Sequence, residues 1–170
     1  MVVGISAILL QSCDKIQKAT TFKVKYNLPD TQITIDTSTL FKSELVLFSQ
    51  TNDAINIDSI IGPGAGIVDS VGFYKFIVSI VSPESAKFNW LNSARITLTP
   101  EGGAPVEIAT SPVINATDRT IDFLVNDVDI TASVKKPFVI TLYGNLNGNI
   151  PSLPMEVLMQ SGLIITVSPL

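Results

Sequence analysis

Apolar and polar residues alternate with a period of two through most of the chain beyond residue 20, a pattern typical of β-strands with one buried face. The longest example lies near the C-terminus, where apolar residues occupy the odd positions from Met155 to Val167, interrupted only at Ser161-Gly162. Shorter segments with the same alternation, or with a compact apolar run, are separated by turn residues. They are Phe22–Tyr26, Ile33–Ile35, Leu45–Phe48, Tyr74–Ile80, Ile96–Leu98, Val106–Ile108, Ile121–Val125 and Phe138–Leu142.

Seven to nine short strands with turns between them predict an all-β fold, specifically an antiparallel, immunoglobulin-like β-sandwich. The turn Pro100-Glu101-Gly102-Gly103 separates two of these strands and predicts a hairpin. A parallel α/β sheet would need a helix between consecutive strands, and the intervening segments are too short for one. The length of 170 residues favours a single sandwich domain, spanning residues 21–170.

Helix is expected only as short turns. Within residues 53–61 two structures fit the pattern: a short helix that begins at Asp53 and buries Ile57, or a strand through the same residues. Single helical turns are further predicted at residues 88–91 and 132–136.

The first twelve residues differ from the rest, because Met1–Ser12 contains no charged residue and is followed directly by Cys13, the only cysteine. An apolar run of about ten residues is too short to span a bilayer, which takes about 20, but suits the apolar core of a secretory signal. The residues after Cys13 are polar. The chain is therefore divided into a signal segment at residues 1–12, a tether at residues 13–20 and the sandwich domain.

The sequence Leu10-Gln11-Ser12-Cys13 resembles the processing box of bacterial lipoproteins, with an aliphatic residue three before the cysteine and a small residue one before it. Together with the polar tether and the single all-β domain, it resembles small lipoproteins of unknown function from Gram-negative bacteria of the Bacteroidota type. The resemblance implies that Cys13 becomes an acylated, palmitate-bearing N-terminus at the cell envelope, at the outer membrane rather than the inner, with the face left open. Two or three acyl chains hold a protein stably at a bilayer. The alternative is that Cys13 is a small residue of a buried N-terminal strand.

Composition narrows the classes of function. The net charge of −4, from 11 Lys and Arg against 15 Asp and Glu, provides no basic surplus for binding nucleic acid. The absence of His removes the usual general base and the commonest metal ligand, and one Cys forms neither an intrachain disulfide nor a zinc site. The sequence therefore predicts neither an enzyme nor a bound cofactor.

Two aromatic residues are candidates to face a ligand. Trp90, the only tryptophan, is expected either to stack on a sugar ring or to close one end of the core, which is the commoner role. Tyr143 precedes Gly144–Asn149, a Gly- and Asn-rich segment typical of an exposed loop tip. These positions predict where a glycan or an envelope protein would bind.

Two further motifs have simpler explanations. Asp127 and Asp129 share a face if the segment is extended, and oxygen ligands suit Ca²⁺, but no complete calcium-loop spacing accompanies them. Solvated turn carboxylates are the favoured interpretation. Gly62–Gly66 lacks the following helix and the Lys-Ser or Lys-Thr pair of a phosphate-binding loop, so it predicts a flexible connection.

Two functions fit these observations. The first is a membrane-anchored, non-catalytic lipoprotein that acts as a binding or accessory module of the cell envelope. The second is a structural subunit that assembles through strand edges, as fimbrial and envelope-complex sandwiches do. The high mean hydropathy of the chain favours a partner surface, for which Leu124, Leu158 and Ile164 are the candidate apolar residues.

Overall fold

The computed structural model of the chain describes residues 21–36, 45–149 and 153–169. The predicted signal segment, Cys13 and the tether up to residue 20 lie outside the described residues. No helix among the described residues is both long enough and apolar enough to cross a membrane.

Ten β-strands and two short helices make up the regular structure of the described residues. The strands are β1 (Phe22–Asn27), β2 (Thr31–Ile35), β3 (Leu45–Asn52), β4 (Ile67–Ser82), β5 (Leu91–Pro100), β6 (Val106–Thr110), β7 (Thr120–Asp122), β8 (Leu124–Val125), β9 (Phe138–Leu146) and β10 (Met155–Ser168). The helices are α1 (Ile57–Ile61) and α2 (Thr131–Val134).

The strands form two five-stranded sheets in which neighbouring strands are antiparallel. In the first sheet β10 and β4 are central, β7 forms one edge, and β1 and β2 together form the other. The second sheet has the order β3-β9-β5-β6-β8. The predicted all-β antiparallel sandwich is therefore confirmed.

The order of the strands identifies which kind of β-sandwich this is, which the sequence pattern did not. When β1–β2 and β7–β8 are each counted as one interrupted strand, eight strands remain, paired first with last, second with seventh, third with sixth and fourth with fifth. That pattern is a long antiparallel hairpin wound into two sheets, a jelly roll. It differs from the A-B-E-D and C-F-G sheets of an immunoglobulin domain, where the first strand pairs with the second.

The long strand β10 shows why the alternation of the sequence is informative. Its odd positions from Met155 to Val167 are buried, and Ser161 keeps the same inward phase. One edge of β10 pairs with β4, and the other pairs with β2 and then β1. The backbone N–H of Leu28, between β1 and β2, donates to the carbonyl of Ser161 at 3.0 Å, so the edge continues across the break.

One lateral side of the sandwich is closed by the chain itself at Phe123. This residue lies between β7 of the first sheet and β8 of the second, and its side chain is only 4% exposed. Its backbone N–H donates to the carbonyl of Phe76 at 2.9 Å. The alternation predicts one strand over Ile121–Val125. The corner at Phe123 divides that strand into β7 and β8, so the described residues contain ten strands where at most nine were expected.

Of the two structures that fit residues 53–61, the structure has the helix, but only over Ile57–Ile61, and α2 overlaps the helical turn predicted at residues 132–136. α1 begins after Asn56, whose Oδ1 accepts a hydrogen bond from the backbone N–H of Ser59 at 3.1 Å, so Asn56 and not Asp53 caps it. Ile57 provides its buried side chain. Residues 88–91 form a turn, with the Leu91 N–H bonded to the Phe88 carbonyl at 3.1 Å.

Candidate ligand-binding face of the second sheet

Tyr143 lies in a row of side chains that crosses all five strands of the second sheet. The strand register places Val46, Tyr143, Arg95, Thr110 and Leu124 opposite one another in that order. Directly opposed residues of antiparallel strands share a face. The residues before and after Tyr143 are buried, whereas Val46 and Leu124 are exposed by 37% and 61%, so this row is on the outer face.

Arg95 and Tyr143 form the centre of this row. The guanidinium carbon of Arg95 lies 4.3 Å from the centroid of the Tyr143 ring. At this distance the cation interacts with the π-face of the ring. The contact holds both half-buried side chains against the sheet, and it covers one face of the ring with a planar group that carries charged N–H donors.

A depression of about 500 Å³ lies beside this pair at one end of the second sheet. Its lining combines an aromatic ring, a guanidinium, a carboxylate, hydroxyls and a side-chain amide, the mixture that orients a small polar ligand. Ser111 is fixed at its rim, because its Oγ accepts from the Ala94 N–H at 2.8 Å and its own N–H donates to the Ala94 carbonyl at 2.8 Å. The lining residues are Ser93, Ala94, Arg95, Glu107, Thr110, Ser111, Tyr143, Gly144 and Asn145.

Trp90, the other aromatic candidate, is a core residue. Its side chain is 0% exposed, and its ring centroid lies 6.3 Å from that of Phe88. A ring with no exposed surface has no face on which a ligand can stack, so the possible ligand-facing role of Trp90 is corrected. The position fits the alternative in which the tryptophan closes one end of the sandwich.

The Gly- and Asn-rich segment after Tyr143 is tied to the turn that contains Trp90. The side-chain amides of Asn147 and Asn149 donate to the carbonyl of Asn89 at 2.7 and 2.9 Å, and the Asn147 N–H donates to the Trp90 carbonyl at 3.1 Å. The exposed asparagines therefore fix this segment to the main chain of the turn that contains Trp90. Residues 150–152 of this connection lie outside the described residues.

The weak calcium candidates Asp127 and Asp129 lie near Lys23 in a shallow depression of the first sheet. Oδ1 of Asp129 already accepts hydrogen bonds from the hydroxyl and N–H of Thr131 and from the N–H of Val71. The Thr131 hydroxyl, and next its N–H, hold the pKa of Asp129 below its ordinary value of 3.8. Within residues 21–36, 45–149 and 153–169, no group of three or more potential His, Cys, Asp or Glu ligands is gathered. Asp129 acts as the acceptor of a turn.

Two arginines make contacts that could not be predicted from the sequence. Arg119 donates to three main-chain carbonyls, those of Ile80, Pro83 and Ala86, at 2.9–3.2 Å, and so holds the connection between β4 and β5. Arg95 meets Tyr143 only through the pairing of β5 with β9. Since 47 residues separate them in the chain, only the strand register would have revealed the pair.

Comparison with known proteins identifies no family. No protein-family model matches the chain, and no curated protein matches it. Similar solved structures include those titled infectious bursal disease virus Gx strain, the Gt strain of the same virus, and its VP2 subviral particle. Their TM-scores are 0.37, 0.37 and 0.36 at 16, 18 and 14% sequence identity. They cover 87, 88 and 86% of this chain, which spans about a third of their length (32, 33 and 33%).

Proposed function

We propose that this chain is a non-catalytic binding or accessory module of the cell envelope, anchored through acyl chains on Cys13. Its ligand-binding surface is the outer face of the second sheet around Tyr143 and Arg95. The observation that carries the proposal is the depression of about 500 Å³ at this pair, in which an aromatic ring, a guanidinium and several hydroxyls converge.

A glycan or a polar loop of an envelope protein suits the chemistry of this surface. Sugars present hydroxyls to side chains such as Ser93, Ser111 and Asn145, and an apolar ring face to an aromatic residue. Arg95 covers Tyr143, so the exposed part of the ring and the guanidinium together form the contact.

The lipid anchor would hold this surface close to a bilayer. Nine peptide units separate Cys13 from Phe22, the first residue of β1, and a fully extended chain of that length spans about 30 Å. A tether of this maximum length limits the distance between the domain and the membrane to about one domain diameter. Ligands displayed at the same envelope surface are therefore met at high effective concentration.

The binding surface is tested with an array of bacterial and host glycans probed with the full chain carrying Cys13→Ser. We expect signals that are lost with Tyr143→Ala and with Arg95→Ala, because each variant removes half of the central pair. Tyr26→Ala is the matched control, since Tyr26 is a 38% exposed tyrosine on β1 of the other sheet. Signals that survive both variants, or that disappear equally with Tyr26→Ala, would contradict the proposed surface.

The anchor is tested separately by growth with labelled palmitate. We expect label in the membrane-bound protein and none in the Cys13→Ser variant, which should be recovered in the soluble fraction. An unlabelled wild-type chain would overturn the anchoring and would leave the result of the array unaffected.

A second candidate function is a structural subunit that assembles through strand edges. The observation that favours it is β3, an eight-residue edge strand without a charged residue. Edge strands of monomeric proteins are commonly protected by charges, prolines or short length.

A further inference from the structure

The four edges of the two sheets differ in how well they are protected against pairing with a strand of another molecule. β7 and β8 are three and two residues long, too short to serve as a template for pairing. The remaining edge of the first sheet is formed by β1, whose Lys23 and Lys25 oppose edge pairing, and by β2, which is uncharged but only five residues long. β3 has eight residues and no Lys, Arg, Asp, Glu, Pro or Gly. Among the described residues it pairs with β9 alone. Among the described residues, β3 is therefore the longest edge strand without a protecting residue.

We propose that β3 pairs antiparallel with β3 of a second copy of this chain and forms a two-fold symmetric dimer. This inference rests on the second candidate function, and names its edge and its partner. Charge favours self-pairing at this edge: two β3 strands oppose no charged residues, whereas two antiparallel β1 strands centred on Val24 would bring Lys23 against Lys25. Symmetric self-pairing is also the commonest form of closed association.

The register of the pairing follows from the phase of the strand. The β-bulge between Val46 and Phe48 shifts the alternation, so that beyond it Ser49 is outward and Phe48 and Gln50 are inward. A two-fold axis at Ser49 places Ser49 opposite its own copy and Phe48 opposite Gln50. Over Phe48–Gln50, outward residues then face outward residues and inward residues face inward ones, as a continuous sheet requires. The match ends at the bulge, where the buried Leu47 would face the exposed Thr51.

The dimer would join the two second sheets into one sheet of ten strands. Because the two-fold axis is perpendicular to that sheet, both outer faces lie on the same side. The two Tyr143–Arg95 pairs would then be presented side by side, and a repeating ligand could engage both of them at once.

The test measures the mass of the full chain carrying Cys13→Ser in solution by analytical ultracentrifugation, so that neither lipid nor ligand affects the result. We expect a dimer whose dissociation constant rises about five-fold or more with Ser49→Lys, because like charges then oppose each other across the axis. An equimolar mixture of Ser49→Lys and Ser49→Glu should restore the dimer. Leu124→Lys, on β8 at the opposite edge of the same sheet, is the control and should leave it unchanged.

The outcomes separate this proposal from the binding and anchoring proposals. A chain that stays monomeric at high concentration, or a dimer that responds to Leu124→Lys and not to Ser49→Lys, overturns the β3 interface. Circular dichroism establishes that each variant is folded, and Thr51→Lys, exposed on the same strand, provides a second disrupting variant. A heterodimer of this chain with a different strand-bearing protein, in place of the homodimer, also overturns it.

Discussion

Tyr74 occupies the space that a side chain at Gly162 would fill. A Cβ built on Gly162 would lie 2.4 Å from Cε1 of Tyr74, far inside van der Waals contact. The pairing of β10 with β4 passes from Gly162–Lys75 directly to Leu163–Phe73, so Tyr74 is the extra residue of a β-bulge. Its hydroxyl donates to Oδ1 of Asn27 on β1 at 2.5 Å, and its ring therefore spans three strands of the first sheet.

Gly162→Ala is expected to lower the free energy of unfolding by about 1–3 kcal/mol, because the methyl group displaces the Tyr74 ring. Urea unfolding measures this loss. Gly72→Ala is the control, since a Cβ there meets its nearest neighbour, the Val128 carbonyl oxygen, at an ordinary 3.5 Å. In a Tyr74→Ala background the cost of Gly162→Ala should largely disappear. Equal stability of the Gly162 and Gly72 variants would contradict this account.

Asp129 is expected to make the stability of the protein depend on acid pH. Hydrogen bonds from Thr131 lower its pKa in the folded state below the ordinary 3.8, so the folded protein holds the proton less tightly than the unfolded chain. The stabilisation is fully present above pH 3.8 and is lost as the pH falls through the lowered pKa.

Asp129→Asn removes this titration, and we expect it to cost about 0.5 kcal/mol at pH 7, because Asp129 is exposed and solvent screens its charge. Relative to wild type, the cost should shrink as the pH falls below 3.8. Urea unfolding at pH 7 and at pH 3 measures it, with Asp127→Asn as a charge-matched control two residues away. A cost that is independent of pH would show that the carboxylate charge is not what stabilises the turn.

The fold class could be predicted from the sequence, because buried and exposed positions alternate along strands such as β10. The corner at Phe123 could not, since Ile121, Phe123 and Val125 keep the alternation while the chain changes sheets. The second half of β3 is polar because it lies at a sheet edge, so it carries no apolar signal beyond Phe48.

The candidate site could be predicted only in part. Tyr143 was found from the loop that follows it, whereas its partner Arg95 depends on the register between β5 and β9, and no local pattern encodes that register. For Trp90 the residue was identified as a candidate, but its role could not be predicted. A single tryptophan between two strands has the same sequence context whether it faces a ligand or fills the core, and only its burial separates the two roles.

Trp90→Ala is expected to destabilise the fold by about 3–5 kcal/mol, a large part of the stability of a typical domain, because it empties a fully buried site. Because Trp90 is the only tryptophan, its fluorescence reports this site alone. We expect blue-shifted emission that resists quenching by acrylamide and shifts to the red on unfolding. Tyr143→Ala, on the outer face, should by comparison cost little stability. Readily quenched emission in the folded protein would contradict the buried position.

Arg119 is expected to hold the connection between β4 and β5 in place. Its two terminal nitrogens donate to the carbonyls of Ile80, Pro83 and Ala86, and Lys, with one terminal nitrogen, cannot reproduce that fork. Arg119→Lys should therefore lower the free energy of unfolding by about 1–3 kcal/mol. Hydrogen exchange should accelerate at the Phe88 N–H, which donates to the neighbouring Asp118 carbonyl at 2.8 Å. Lys87→Ala removes an exposed cation of the same connection and should change neither quantity; unchanged exchange in Arg119→Lys would show that the backbone bonds alone hold it.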